Sequence, residues 1–259
     1  GQSVPPEALA AYDRDGVVKI KGVLSLNEIE LLRAAVDRQI AGADASPTAY
    51  DFQHIAEQIW RRSEAIDTKA ATRFDMAKFK RLIDTDADAR ALFDEAVAGA
   101  PKGRFLYEAA GWRRHPEIRK VAMDSSLPEV SAGLLRSTYV NFWEDTTFVK
   151  TPGATQRTAF HQDYTYFQIT GQKCCIAWIA LDPVDEGNGA LEYVRGSHRW
   201  GREFAPNLLV SQTITSEDAG EKLPDIEANR SAYEIISIDA EPGDVIFHDV
   251  MVIHGSSGN

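Results

Sequence analysis

Apolar residues recur at helical spacing through the first half of the chain and at strand spacing through the second. Leu26, Ile29, Leu32, Val36 and Ile40 fall on one helical face, and Ser25-Leu26-Asn27-Glu28 reads as a capping box. Together they predict a helix from about Leu26 to Ala41. Before it, Asp15-Gly16 turns into Val17-Val18-Lys19-Ile20, a short strand. From Asp51 to Gly99 the pattern stays helical and polar. Phe52, Ile55 and Ile59 suggest one helix there, and Ala91, Leu92, Ala96 and Val97 another, while Thr68 to Asp84 fits neither. The helical reading continues from Gly103 to Arg136, where Pro116 and Pro128 stand as first-turn prolines.

Near Ser137 the texture changes. Thr138 to Trp143 and Thr147 to Lys150 are rich in β-branched and aromatic residues and read as two strands joined at Glu144-Asp145. Further strands are predicted at His161, Cys174 to Leu181, Ala190 to Val194, Tyr233 to Ile238, Val245 to Phe247 and Val250 to His254. Short strands parted by Gly, Pro, Asp and Asn turns imply a sandwich or barrel. Helices first and strands later make the class α+β with a jelly-roll core, not an alternating parallel sheet. With no internal repeat or low-complexity linker, one domain over residues 1–259 is expected, helical over 1–136 and jelly-roll over 137–259.

Composition narrows the function classes. The net charge of −11 and the scattered basic residues argue against a nucleic-acid partner. No apolar run reaches membrane-spanning length, and the amino terminus lacks a signal pattern, so no membrane association and a cytoplasmic location are expected. The two cysteines, Cys174 and Cys175, are adjacent in an apolar run and read as small packed hydrophobes in a reducing compartment.

The candidate chemistry starts at His161-Gln162-Asp163. On an extended backbone, residues two apart share a face, so His161 and Asp163 point together and Gln162 points away. An imidazole beside a carboxylate makes two-thirds of the two-His-one-carboxylate set that holds non-haem Fe(II) and leaves positions open. The third ligand must come from His198, His248 or His254 downstream. Strand parity does not choose between His248 and His254, because residues six apart also share a face.

The set Asp15-Gly16-Val17-Val18, His161-Gln162-Asp163, Gly189-Ala190-Leu191, Gly196-Ser197-His198, Pro242-Gly243-Asp244 and His254-Gly255-Ser256 resembles the phytanoyl-CoA dioxygenase family in motif and order, from about Tyr12 to Asn259. The resemblance implies a double-stranded β-helix (cupin-type jelly roll) with the helices packed on it. It also implies Fe(II), 2-oxoglutarate and O2 as cofactor and co-substrates, and a small-molecule substrate hydroxylated at an unactivated C–H bond while 2-oxoglutarate becomes succinate and CO2. His161, Asp163 and His254 are then the metal and catalytic residues, and His248 is a packed or supporting neighbour. Asp163 favours hydroxylation, since halogenating relatives carry a small residue there. Ser256 matches a serine that helps bind 2-oxoglutarate, Trp178 a tryptophan near it, and Lys150 a polar position facing the pocket. The family's carboxylate-binding arginine lies about ten residues past the distal histidine; the expectation is that a last core strand carrying it lies beyond Asn259.

Other residues carry two readings each. Tyr164, Tyr166 and Phe167 form a substrate wall or pack into the core, and Trp178 is equally a core residue. His198 orders its loop, and Arg195 and Arg199 beside it take a substrate anion or remain at the surface. Arg113-Arg114-His115 is a solvated helix entry or an anion site. Residues 203–232 are expected to form a variable lid. Two further classes stay open: a cupin-like module that binds metal or a small ligand without turnover, and a metal-assisted hydrolase, disfavoured because no glutamate lies near the triplet.

Overall fold

The computed structural model describes residues 4–43, 46, 48–54, 85, 87, 90, 103–167, 169–171, 173–207, 209–210 and 220–259. The helices expected at Ile55 and Ile59 and at Ala91 to Val97 lie outside the described residues, as does the stretch from Thr68 to Asp84. In chain order the elements are α1 (Pro6–Asp15), β1 (Val17–Ile20), α2 (Leu26–Gly42), β2 (Ala49–Asp51) and β3 (Phe105–Ala109). Then follow α3 (Pro116–Asp124), α4 (Leu127–Leu134), β4 (Thr146–Lys150), β5 (Thr158–His161) and β6 (Cys175–Ile179). The chain continues with β7 (Leu191–Val194), β8 (Ile235–Ser237), β9 (Val245–Asp249) and β10 (His254–Ser256).

Two antiparallel sheets build the core, one ordered β1-β9-β6 and the other β5-β10-β7-β8. Alternation along β9 shows how they sit. Val245 and Phe247 pack outward among Ile29, Leu32, Ile118 and Val130 of the helices. Ile246 turns the other way, against Tyr193 and Leu191 of the second sheet. β9 is therefore buried on both faces, and its apolar run shows no alternation. The second sheet has its own outer cover: Phe160, Val194 and Ile253 pack against Phe204, Leu223 and Ile226. This is an α+β fold with helices on one side of a two-sheet jelly-roll barrel.

The capping box at Ser25 is formed, with the Ser25 hydroxyl accepting from the Glu28 amide and the Glu28 carboxylate accepting from the Ser25 amide. Leu26 is nevertheless exposed, and the buried stripe of α2 is Ile29, Leu32, Ala35 and Gln39.

Three expectations are corrected. Thr138 to Trp143 forms no strand: Tyr139 and Trp143 are exposed, so their β-propensity finds no sheet partner. Phe105 to Ala109 is a strand inside the stretch read as helical, paired with β2 and β4 in a third sheet. Val250 to Ile253 is not a strand either. It is a buried crossing from one sheet to the other, turned by Asp249, whose carboxylate accepts from the Met251 amide. Of the stretch 203–232, expected as a lid, Phe204, Leu223 and Ile226 are anchored in the outer core of the second sheet, and 208 and 211–219 lie outside the described residues.

Candidate metal centre

The register of β10 builds the site. His254 lies opposite His161 on β5 and opposite Tyr193 on β7. Direct cross-strand partners share a face, so the two imidazoles meet inside the barrel with ring centroids 4.3 Å apart. Gly255 lets β10 press against β5, because a Cβ there would fall 2.7 Å from the Thr158 carbonyl oxygen.

Asp163 reaches the same point by a different route from the one expected. β5 ends at His161, Gln162 alone remains extended, and Asp163 opens a short 3-10 turn over Asp163–Tyr166. Its carboxylate lies 3.3 Å from His161 Nε2 and 3.7 Å from His254 Nε2. His161, Asp163 and His254 each offer a ligand atom, and these atoms lie within 4.8 Å of one another. His248 is not in that group. It stands on the other sheet, so the shared-face rule for residues six apart fails where the chain crosses between sheets.

The protonation pattern suits a cation. His161 Nδ1 donates to the Ala159 carbonyl at 2.8 Å, and His254 Nδ1 donates to the Val252 carbonyl at 3.1 Å. A carbonyl only accepts, so each Nδ1 carries the hydrogen and each Nε2 presents a lone pair toward Asp163. Burial pushes His254 down to about 3, against the pull of the Asp163 charge, so the ring is neutral. Burial alone would raise Asp163, but the three imidazoles turned toward it, His254 first and then His161 and His248, outweigh it and hold the carboxyl well below its usual range. Two imidazoles and one carboxylate form an N2O donor set of the kind that binds divalent iron.

Gln162 points away from this centre, as expected. Its amide donates to the Met251 and Arg202 carbonyls at 2.9 and 3.1 Å and accepts from the Phe204 amide at 3.0 Å. It thereby ties the triplet to the crossing and to the outer core. Replacing it with leucine strands the buried Met251 carbonyl and Phe204 amide. At roughly 1–3 kcal/mol per orphaned buried group, a loss of about 3 kcal/mol is expected. A melting temperature lower by roughly 6–12 °C would show it in a thermal scan; an unchanged one would refute the role.

Lys150 and Ser256 form a second polar cluster beside the centre. Lys150 Nζ donates to Ser256 Oγ at 2.7 Å and to the Ser257 carbonyl, and Ser256 Oγ donates to Thr158 Oγ1 at 3.0 Å. The ammonium also sits 4.5 Å from the Phe105 ring centroid. Burial, with repulsion from Arg157 and against attraction from Glu192, lowers Lys150 to about 7. Trp178 lies on β6 opposite Ile246, packed against the inner cluster that contains Tyr193.

Of the expected wall residues, Tyr166 sets its ring edge-on to His161 at 5.6 Å, and its hydroxyl is held by Asn207. The structure adds a larger aromatic surface. Tyr107 pairs with Tyr50 and Phe148 across the third sheet, and Phe105 with Lys150, so these side chains share one face. Phe52 joins them, with neighbouring ring centroids 5.3–6.3 Å apart. Burial raises the Tyr107 phenol, with Glu144 and, more weakly, Asp163 adding to it, so this face is within electrostatic reach of the centre. The strand predicted at Thr147 to Lys150, which carries Phe148, and the alternation of Phe105 and Tyr107 are the signals of this face in the sequence.

The remaining candidates are engaged elsewhere. His198 is hydrogen-bonded to the Asp13 carbonyl, and Ser197 holds the Ile253 amide, so that loop secures α1 and the crossing. Arg195 pairs with Asp15 and Glu234. Arg114 pairs with Glu108, and Arg113 lies over Trp112, which suits a helix entry and not an anion site. Cys174 and Cys175 are free thiols pushed up to about 11 and about 12 by burial, consistent with packing. No helix among the described residues is long and apolar enough to cross a membrane.

Among solved structures, this fold is similar to the non-haem α-ketoglutarate-dependent carbocyclase SnoK from nogalamycin biosynthesis (TM-score 0.61, 21% identity, covering 100% of this chain and 81% of that one). It is also similar to EctD from S. alaskensis with 2-oxoglutarate and 5-hydroxyectoine (TM-score 0.60, 18% identity, 99% of this chain and 71% of that one). At these identities the likeness establishes the cupin-type fold. In sequence, a stretch of 108 residues is 29% identical to a probable phytanoyl-CoA dioxygenase of Caenorhabditis elegans, covering 40% of this chain and 32% of that protein, so the match spans about a third of that relative's length. The sequence model of the family described as phytanoyl-CoA dioxygenase (PhyH) matches residues 12–259, nearly the whole chain, and the chain therefore belongs to the phytanoyl-CoA dioxygenase family.

Proposed function

We propose that this chain is an Fe(II)- and 2-oxoglutarate-dependent dioxygenase acting as one domain, which hydroxylates an unactivated C–H bond of a small molecule and releases succinate and CO2. The observation that carries the reading is the convergence of His161, Asp163 and His254, with both imidazoles already in the tautomer that offers Nε2. In this reading the three residues hold Fe(II) from one side of the barrel. Bound there with 2-oxoglutarate and O2, the metal supplies the oxidising chemistry.

The protein's own residues do the rest. Lys150 and Ser256 form a cation-hydroxyl pair suited to a carboxylate of 2-oxoglutarate, with Thr158 fixing the serine. Trp178, packed against the cluster that holds Leu191, the cross-strand neighbour of Ser256, would form the inner wall of that pocket. Tyr166 and the face carrying Tyr107 and Phe148 bound the space on the substrate side and keep it apolar and poor in water. The presence of Asp163 as the carboxylate ligand favours oxygen insertion over halide transfer. EctD, crystallised with 2-oxoglutarate and separately with Fe, supports the same cofactor set here. The unpaired thiols Cys174 and Cys175 support a cytoplasmic setting.

The test is anaerobic reconstitution with Fe(II) and 2-oxoglutarate. A weak visible charge-transfer band is expected, followed by succinate when O2 is admitted. A colourless mixture that yields no succinate would remove the oxygenase reading; a coloured complex that yields none would leave a binding module.

A further inference from the structure

His248 is fully buried and stands between the two sheets, touching the metal-ligand group without belonging to it. Its Nε2 lies 3.1 Å from Asp163 Oδ2, and its Nδ1 lies 3.0 Å from the Tyr193 hydroxyl. An ionised carboxylate oxygen only accepts, so Nε2 carries the hydrogen. In the neutral ring Nδ1 then accepts the Tyr193 hydroxyl hydrogen, and the tautomer is fixed by a tyrosine on the opposite sheet. Tyr193 is itself completely buried, and its ring stacks on His254 with centroids 5.7 Å apart and planes 27° from parallel. A single side chain thus orients His248 through its hydroxyl and a candidate ligand through its ring.

The two oxygens of Asp163 are consequently in different positions. Oδ2 is occupied by the His248 hydrogen bond, with His254 Nε2 further off at 3.7 Å, while Oδ1 faces His161 Nε2 at 3.3 Å. We propose that His248 and Tyr193 are a buried positioning pair that holds Asp163 as a one-oxygen metal ligand, by occupying Oδ2 and leaving Oδ1 for the cation. A carboxylate free to rotate would spread over both oxygens and take up coordination space that two co-substrates need. Partners of this kind around a metal ligand typically change metal affinity about 10–100-fold. The inference rests on the metal-centre reading above, and its test separates the two.

Co(II) is the probe, titrated anaerobically into the metal-free protein and followed by its visible d–d absorption and by calorimetry. His248→Leu is expected to weaken Co(II) binding by about 10–100-fold and to change the d–d band shape. His248→Gln, whose amide nitrogen reaches toward Oδ2 from a similar distance along the side chain, is expected to restore affinity to within a few-fold. Tyr193→Phe keeps the ring against His254 and removes only the hydroxyl; a several-fold loss is expected. Far-UV circular dichroism reports folding of each variant, and the tyrosine variant decides the matter if the leucine variant does not fold. Wild-type affinity and band shape in His248→Leu, or in Tyr193→Phe when it stands alone, would overturn the positioning role. Equal losses in the Leu and Gln variants would do the same, because the hydrogen bond would then not be what matters. Wild-type protein that binds no Co(II) would instead overturn the metal centre itself.

Discussion

Asp163→Ala is expected to abolish Fe(II) binding and succinate formation while leaving the barrel folded. The carboxylate is the only anionic member of the group of three, with three imidazoles directed at it: Nε2 of His161 at 3.3 Å, of His248 at 3.1 Å and of His254 at 3.7 Å. Alanine removes a donor atom and the local negative charge together. The effect should exceed the roughly 100-fold that loss of an outer hydrogen-bond partner causes. The fold should survive, because the main supports of this turn lie elsewhere: Gln162 binds the crossing, and the Tyr164 amide donates to the Val250 carbonyl at 3.0 Å. The stability cost is that of leaving His248 Nε2–H without its acceptor, about 1–3 kcal/mol. Asp163→Asn is the sharper variant, since its single oxygen can still accept from His248 while an amide nitrogen, which is no metal ligand, replaces the oxygen that faces the cation. Calorimetric titration with Mn(II) and a succinate assay would check both. Metal affinity within about tenfold of wild type in either would mean that Asp163 is not a ligand.

The candidate centre is legible in the sequence because two of its three residues are close neighbours and the third sits in the distinctive His-Gly-Ser context. Strand parity accounts for only half of it. Residues two apart share a face on a strand, but Asp163 has already left the strand, and it meets His161 because a 3-10 turn brings it back. Periodicity fails wherever both sides of a segment are covered. Val250, Met251, Val252 and Ile253 are all buried, so a crossing between sheets carries the same apolar run as a central strand. The strand at Phe105 to Ala109 is hidden for a related reason. Glu108, its apparent polar face, is buried against Arg114, Ser46 and Thr48, so its chemistry gives no hint of which side faces water. Helix α1 opens on a first-turn proline and ends at Gly16 in the left-handed conformation, but Asp15-Gly16 serves equally well as a turn into β1. Nothing local marks His248 or Tyr193 as partners. They lie 55 residues apart on different sheets, and only the closure of the barrel brings them together.

Lys150→Met is expected to weaken 2-oxoglutarate binding more than any other change outside the metal ligands, and to remove its dependence on pH. The ammonium bonds Ser256 directly, in a pocket where its other neighbours are a carbonyl and the Phe105 ring, and where the serine in turn meets the Thr158 hydroxyl. A hydrogen bond between charged partners is worth about 1.5–3 kcal/mol, or roughly 10- to 150-fold in affinity. The pH behaviour follows from the lowering of Lys150 to about 7 by burial and by Arg157, against Glu192. Below that value the ligand-free site is already cationic, and affinity is flat. Above it a proton must be taken up with each dicarboxylate, so affinity should fall about tenfold per pH unit, and the Lys150→Met variant should show no such slope. The stability of the ligand-free protein should move oppositely. An unfolded lysine keeps its proton to about 10.4, so between pH 7 and that value the unfolded chain binds more protons, and this residue's contribution favours folding as pH rises. The difference in melting temperature between wild type and Lys150→Met, followed from pH 6 to 10, isolates that contribution from every other titrating group. A wild-type affinity that stays level from pH 7 to 9 would show that the ammonium is not the group that meets the co-substrate's acid.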